Sequence, residues 1–167
     1  MTVSLDKTLP TIAYAGNQGS YGVLETVNIT CTASDSLSGL LFDTCVDISG
    51  PAYQFSLTGN TFSATAMDFA SNLAMASTSF KLVVTYQDLC TLTRQFLNAG
   101  PGTPAQVEPL GNSLCAQLAA AQAAAARGNA NAKRSALAAY VKQLKGAVPG
   151  FLTEAQFKIL SSLAGAL

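Results

Sequence analysis

Each half of this chain carries one close pair of cysteines, and the two halves are written in different periods. Up to about Tyr86 the chain reads as short alternating strands broken by Gly, Pro, Asn and Ser. Beyond that point it reads as Leu- and Ala-rich helices. Four cysteines allow three pairings. Local pairing, Cys31–Cys45 and Cys90–Cys115, places one bridge on each side of the change. Each bridge closes a loop of roughly 15 to 26 residues, worth about 3 kcal/mol in the chain-entropy model. Zinc sites show short Cys-x-x-Cys spacing and often histidine, and neither occurs here. Arg94 lies one turn from Cys90, but Cys115 is the more direct partner, so all four cysteines read as structural in an oxidising compartment.

With 167 residues the chain has room for one domain or two small ones. Hydrophobic residues at 49% supply a core and argue against disorder. A formal net charge of zero argues against nucleic acid as a partner. The charge is split between the halves. Residues 1–86 hold two basic against six acidic side chains, and residues 87–167 hold seven against three, so the halves carry −4 and +4. No stretch is apolar enough for membrane insertion. The start, Met1-Thr-Val-Ser leading to Asp6 and Lys7, has no apolar leader core, so a secreted origin implies a piece of a longer protein.

In the first half, residues 27–33 alternate apolar and polar, with Cys31 on the inward face. Residues 39–46 predict a second strand. Residues 52–57 and 61–67 predict a hairpin around Thr58-Gly59-Asn60, and residues 76–86 a long last strand. Strands at this spacing predict an immunoglobulin-like β-sandwich over residues 1–86. Three stretches, Asp6-Lys7-Thr8-Leu9-Pro10, Val27-x-Ile29-x-Cys31-x-Ala33-x-Asp35-x-x-Ser38-Gly39 and Ala66-Met67-Asp68-Phe69-Ala70-Ser71-Asn72, resemble bacterial extracellular immunoglobulin-like modules over residues 3–86. The resemblance implies a spacer or accessory unit of a secreted or cell-surface protein. Ser71 stands where that family has Gly, so its turn should differ slightly. Asp35 and Asp68 are conceivable calcium ligands, but there is no dense acidic run, and Asp at such positions caps turns through its own side chain. No metal and no cofactor is expected.

In the second half, four helices are predicted. They cover about residues 87–97, 105–127, a third beginning at an Asn129 or Asn131 cap, and a fourth opened by the capping box Thr153-x-x-Gln156. Each has one apolar face, which predicts a small all-α four-helix bundle over residues 87–167. The pattern of Leu89, Leu92 and Phe96, then Leu114, Leu118, Gly128 and Asn129, then Leu137, Tyr140, Leu144 and Val148, then Leu152-Thr153, resembles FIMAH-type helical domains at the C-termini of secreted bacterial proteins. That family often has Phe where Tyr140 stands, and the resemblance implies no catalytic residue.

The chain contains no histidine, which makes a Ser-His or Cys-His system impossible. It contains no tryptophan, the residue that sugar-binding modules commonly use. Tyr14, Tyr21 and Tyr53 remain as candidate stacking platforms, with Tyr14 and Tyr21 flanking a flexible loop over residues 16–20. Lys142 and Lys145, with Arg134 and Lys133 near them, are candidates for an anionic polymer. The expected function is a non-catalytic C-terminal accessory region of a larger secreted or cell-surface bacterial protein, with the upstream domains of that protein as partners. The alternative is a polysaccharide- or cell-wall-binding module.

Overall fold

A computed structural model describes residues 5–167; the opening residues of the leader argument, Met1 to Ser4, lie outside them. Seven strands come first: β1 Thr11–Ala15, β2 Ser20–Gly22, β3 Thr26–Ser34, β4 Leu40–Asp43, β5 Ile48–Pro51, β6 Asn60–Asp68 and β7 Leu73–Val83. Four helices follow: α1 Tyr86–Ala99, α2 Pro104–Ala126, α3 Ala130–Gly146 and α4 Glu154–Gly165. The strands form a three-stranded sheet in the order β1-β3-β5 and a four-stranded sheet in the order β2-β7-β6-β4.

This overturns the expected all-β immunoglobulin-like sandwich plus separate four-helix bundle. The chain is a mixed α and β fold, 28% strand and 42% helix, built on two sheets and four helices. Contacts divide it into residues 5–21 with 25–82, and residues 22–24 with 83–167. Gly22–Leu24, embedded in strand-like sequence, therefore groups with the stretch 83–167 that holds the helices, and Val23 there is fully buried. Periodicity reports local conformation; it does not report which neighbour a short segment will bury itself against.

In the first unit β3 shows strict alternation, with Val27 and Ile29 buried and Thr26, Asn28, Thr30 and Thr32 exposed. Tyr21, Ile48, Ala52, Phe80 and Leu82 complete a core drawn from both sheets. Its aromatic rings meet edge to face: Tyr21 on Phe80 at 5.2 Å and Phe55 on Phe80 at 5.3 Å. The expected hairpin at Thr58-Gly59-Asn60 does not form. Ala52–Gln54 is a 3₁₀ turn, and Phe55 and Leu57 pack irregularly against the core instead of entering a sheet. Aromatic and aliphatic burial is satisfied here without a ladder, and a propensity reading cannot separate the two outcomes. The tight hairpin joins β6 to β7, with register Met67↔Leu73. At its tip Ser71 adopts φ +68°, the only positive φ of a non-glycine residue among those described.

In the second unit every helix start has a chemical reason. Thr85 caps α1 by accepting from the Asp88 N–H at 3.0 Å. Gln106 Oε1 accepts from the Thr103 N–H at the start of α2. Asn129 Oδ1 accepts from Ala132 N–H at 2.9 Å and opens α3. Thr153 and Gln156 form the reciprocal box of α4. Gly128, at φ +69°, supplies the left-handed residue that lets α2 end and α3 begin two residues later, after its Asn129 cap. α2 packs on α1 and α3, and α4 packs on α1 and α3. Leu89, Leu92, Leu97, Leu114, Leu118, Leu144, Leu160 and Leu163 are all sealed inside. Tyr140 is buried among them, and its hydroxyl lies 2.7 Å from Thr93 Oγ1. Thr93 gives its one proton to the Leu89 carbonyl at 2.6 Å, so Tyr140 donates to Thr93.

Candidate functional site

The structure holds both disulfides, Cys31–Cys45 with Cα atoms 5.4 Å apart and Cys90–Cys115 with Cα atoms 5.1 Å apart, and no cysteine among the described residues is free. Both spans lie within the normal range for a bridge. In the first unit the bridge ties β3 to the segment between β4 and β5, where the chain leaves one sheet for the other. In the second it ties α1 to α2.

The three tyrosines part company. Tyr21 is 1% exposed, and its hydroxyl is engaged with the Gly16 carbonyl and the Gln18 N–H, so it offers no surface to a ligand. The loop between Tyr14 and Tyr21 is also tied down. Asn17 donates from Nδ2 to Thr78 Oγ1 and to the Ser79 carbonyl, and its Oδ1 accepts from the Gly19 N–H. Tyr53 sits half-buried in the 3₁₀ turn. Tyr14 faces a groove of about 420 Å³, which it lines with Phe55, Phe62, Asp47, Ser49 and Ser63. Half-buried ring faces beside exposed hydroxyls and a carboxylate suit a sugar-like surface. The structure therefore keeps one of the three candidate tyrosines in a groove, and brings to it Phe55 and Phe62, which sequence reasoning had assigned to strands and not to a surface.

Lys142 and Lys145 are exposed on α3. Lys145 borders a small groove with Val148, Pro149, Glu154 and Phe157, so an acidic side chain already shares its surroundings. Lys133 and Arg134 lie apart from that groove, at one end of a trough of about 540 Å³ between α3 and α4 floored by Leu137 and Val141. Lys133 Nζ there donates to the Leu167 carbonyl oxygen.

A further cluster unites three separate stretches of sequence. Asp6, Asp35 and Asp68 each bring one carboxylate oxygen to within 4.8 Å of the others. Each also caps its own turn. Asp6 Oδ1 accepts from Thr8 N–H at 2.8 Å, and Asp6 Oδ2 from Ser38 N–H at 3.0 Å. Asp35 Oδ1 accepts from Gly39 N–H at 2.8 Å and from Leu37 N–H at 3.2 Å. Asp68 is fully buried, and its two oxygens accept from Asn72 N–H at 2.8 Å and Asn72 Nδ2 at 2.7 Å. The hydrogen bond from Thr8 N–H, then those from Ser38, hold the Asp6 carboxyl below its ordinary value. Burial alone would raise that of Asp68, but donors on Asn72, Ser38 and Ala70 together bring it lower. No basic side chain contributes to either shift. The turn-capping role read from the sequence for Asp35 and Asp68 is thus present, and Asp6 joins them. The available signal was that each of the three quoted stretches contributes one of these aspartates.

Comparison with known proteins adds no relative: no family model, no curated protein and no solved structure matches the chain, and nothing identifies an immunoglobulin-like or FIMAH-type module. What stands is the chemistry of the molecule itself. Both cysteine pairs are oxidised, which suits an oxidising, extracellular environment, and no helix among the described residues is long and apolar enough to cross a membrane.

Proposed function

We propose that this chain is a non-catalytic accessory region of a larger secreted or cell-surface protein. The observation that carries the reading is one disulfide in each unit with no free thiol among the described residues. Bridges of this kind persist where the cell does not reduce them. The absence of histidine from the chain supports the non-catalytic part, because it removes the commonest general base. Its partners are then the neighbouring regions of the same protein. The test is to fractionate cells making the natural full-length protein and alkylate each fraction without reduction. Oxidised Cys31–Cys45 and Cys90–Cys115 peptides are expected in the extracellular or surface fraction. A cytoplasmic protein with four alkylated thiols would end the proposal.

The groove at Tyr14 favours a second reading, a polysaccharide- or cell-wall-binding module. Pull-down on insoluble polysaccharides at low and high salt separates the surfaces involved. Salt-insensitive binding lost in Tyr14→Ala supports stacking in the groove. Salt-sensitive binding lost when Lys142 and Lys145 are changed supports an anionic polymer.

A further inference from the structure

We infer that the trough between α3 and α4 binds one medium-chain fatty acid, with its alkyl chain laid along the trough and its carboxylate held by Lys133 and Arg134. The trough encloses about 540 Å³, a volume within the range of small-molecule sites. It exists because facing positions are small: Ala138 on α3, and Ser161, Ala164 and Gly165 on α4. A Cβ added at Gly165 would meet nothing within 4 Å, so the α4 wall is open there. Leu137 and Val141 are only half-buried, which leaves the floor as apolar surface that no other side chain fully covers. On α3 the lining runs from Ala130 to Val141, and at about 1.5 Å per residue that is about 16 Å, room for an extended alkyl chain of roughly twelve carbons.

An apolar furrow alone does not say what covers it; the charge around this one does. Among the described residues that line it, Lys133 and Arg134 are the charged ones, and both stand at the same end. No carboxylate lines the trough, and α3 carries Lys133, Arg134, Lys142 and Lys145 with no acidic residue at all. An anionic head therefore meets attraction at one end and no like charge along the way. Lys133 Nζ donates to the Leu167 carbonyl oxygen, which holds the ammonium at the rim. An ammonium has three donors, so capacity remains for a ligand carboxylate. Arg134 is exposed beside it, and a guanidinium offers paired N–H groups that match a carboxylate. On the facing wall the Ser161 hydroxyl already donates to the Lys158 carbonyl, so its proton is not left unmet under an alkyl chain. Two cations at one end and apolar side chains along the rest give the polarity of an amphiphile with a single anionic head.

This site stands apart from the accessory role. Cellular location decides that role; fatty-acid uptake decides this site. The full chain is titrated with laurate, kept below the concentration at which it forms micelles, while heat and native mass are followed. One laurate per chain is expected, with Kd on the order of 10–100 µM. Along the series hexanoate, octanoate, decanoate and laurate, binding should tighten about two- to fourfold per added methylene. The uncharged 1-decanol should bind more weakly than decanoate. Ala138→Phe fills the furrow from an exposed position and should abolish uptake. Arg134→Glu reverses one head-group contact and should weaken uptake at least tenfold. Both variants should keep the parental circular dichroism, and each guards against misfolding of the other. Lys158→Ala removes an exposed cation of α4 outside the trough and should bind as the parent does. Absence of both heat and a mass adduct at about 1 mM laurate overturns the site. So does parental uptake in both Ala138→Phe and Arg134→Glu, or 1-decanol binding as tightly as decanoate. Binding to phosphatidylglycerol vesicles without uptake of free laurate overturns it as well.

Discussion

The two units solve the same problem, a small core needing a staple, with opposite surfaces. In the four helices the large apolar side chains are inside; of the exposed large hydrophobic residues among those described, Leu24 and Val83 alone belong to the helical unit, and the rest belong to the first. Leu41, Phe42, Leu73 and Met75 on the strands, with Phe69 at the β6–β7 turn, face solvent. Phe42 and Leu73 each stand opposite Met67, so the exposure crosses three neighbouring strands as one row. A helix turns its apolar stripe onto a neighbour that is close in sequence, whereas a sheet has two faces and this one buries only one of them. The comparison teaches that the helical unit is the self-sufficient half, and that the sheets depend more on their cross-link and on their turns.

Reduction should break that comparison most sharply. The Cys31–Cys45 bridge spans 14 positions and Cys90–Cys115 spans 25, which the chain-entropy model values at about 3 and about 3.5 kcal/mol. Despite the smaller entropic figure, replacing Cys31 and Cys45 by Ala should disturb its unit more, because that unit has the less complete core. Calorimetry of the two double variants is the check; equal loss of cooperativity in both would refute the asymmetry.

Val23 tests where the boundary lies. Val23→Ala removes a fully buried side chain grouped with the helices, and should cost about 1–3 kcal/mol. The loss is expected in the helical signal at 222 nm, although the residue sits among strands. A fragment covering residues 87–167 lacks Val23, so it should melt at a lower temperature than the same helices in the full chain. Equal melting would show that Gly22–Leu24 adds nothing to the helical unit.

The units should also fail at opposite ends of the pH scale. The carboxyls of Asp6 and Asp68 lie below the ordinary 3.8 when folded, so the stability they contribute is present above that value and lost as pH falls below it. Burial pushes the Tyr140 phenol up from its ordinary 10.0. A raised phenol keeps its proton in the folded state, so its stability contribution is present below pH 10 and lost as pH climbs above it. Near-ultraviolet spectra of the tyrosines should therefore report acid loss in the first unit and alkaline loss in the second. Simultaneous loss at both extremes would contradict the division.

The smallest expected effect sharpens the account of the turns. Ser71 holds φ +68°, a region that costs most side chains about 1 kcal/mol and glycine very little. Ser71→Gly should stabilise the first unit by about 0.5 kcal/mol, since relief of strain exceeds the added freedom of the unfolded chain by only part of that cost. A denaturant melt that moves the other way would mean that the serine side chain supports the turn.

Much of the helical unit was legible in the sequence, because its determinants are local. Thr153 and Gln156 are three apart, Gly128 and Asn129 are adjacent, and Leu137, Tyr140, Val141 and Leu144 repeat at helical spacing. Both cysteine pairs were legible for a related reason, as each joins neighbouring elements. In the first unit the alternation of β3 was visible, while the irregular path of residues 52–59 was not, because Phe55 and Leu57 bury themselves equally well in or out of a ladder. Tyr21 looked like a loop residue and is a core residue, since burial of its ring is decided by Phe80, almost sixty positions away.

By itself, then, the sequence determined that strands precede helices, the caps at Asn129 and Thr153, the two bridges and the lack of histidine chemistry, all of which depend on residues near one another or on composition. Only the tertiary structure decided that Gly22–Leu24 groups with residues 83–167, that Tyr14 and not Tyr21 faces a groove, and that Asp6, Asp35 and Asp68 meet. Those outcomes depend on contacts across tens of residues, whose entropy of closure grows only slowly with separation, so spacing along the chain carries almost no record of which distant partners will be chosen.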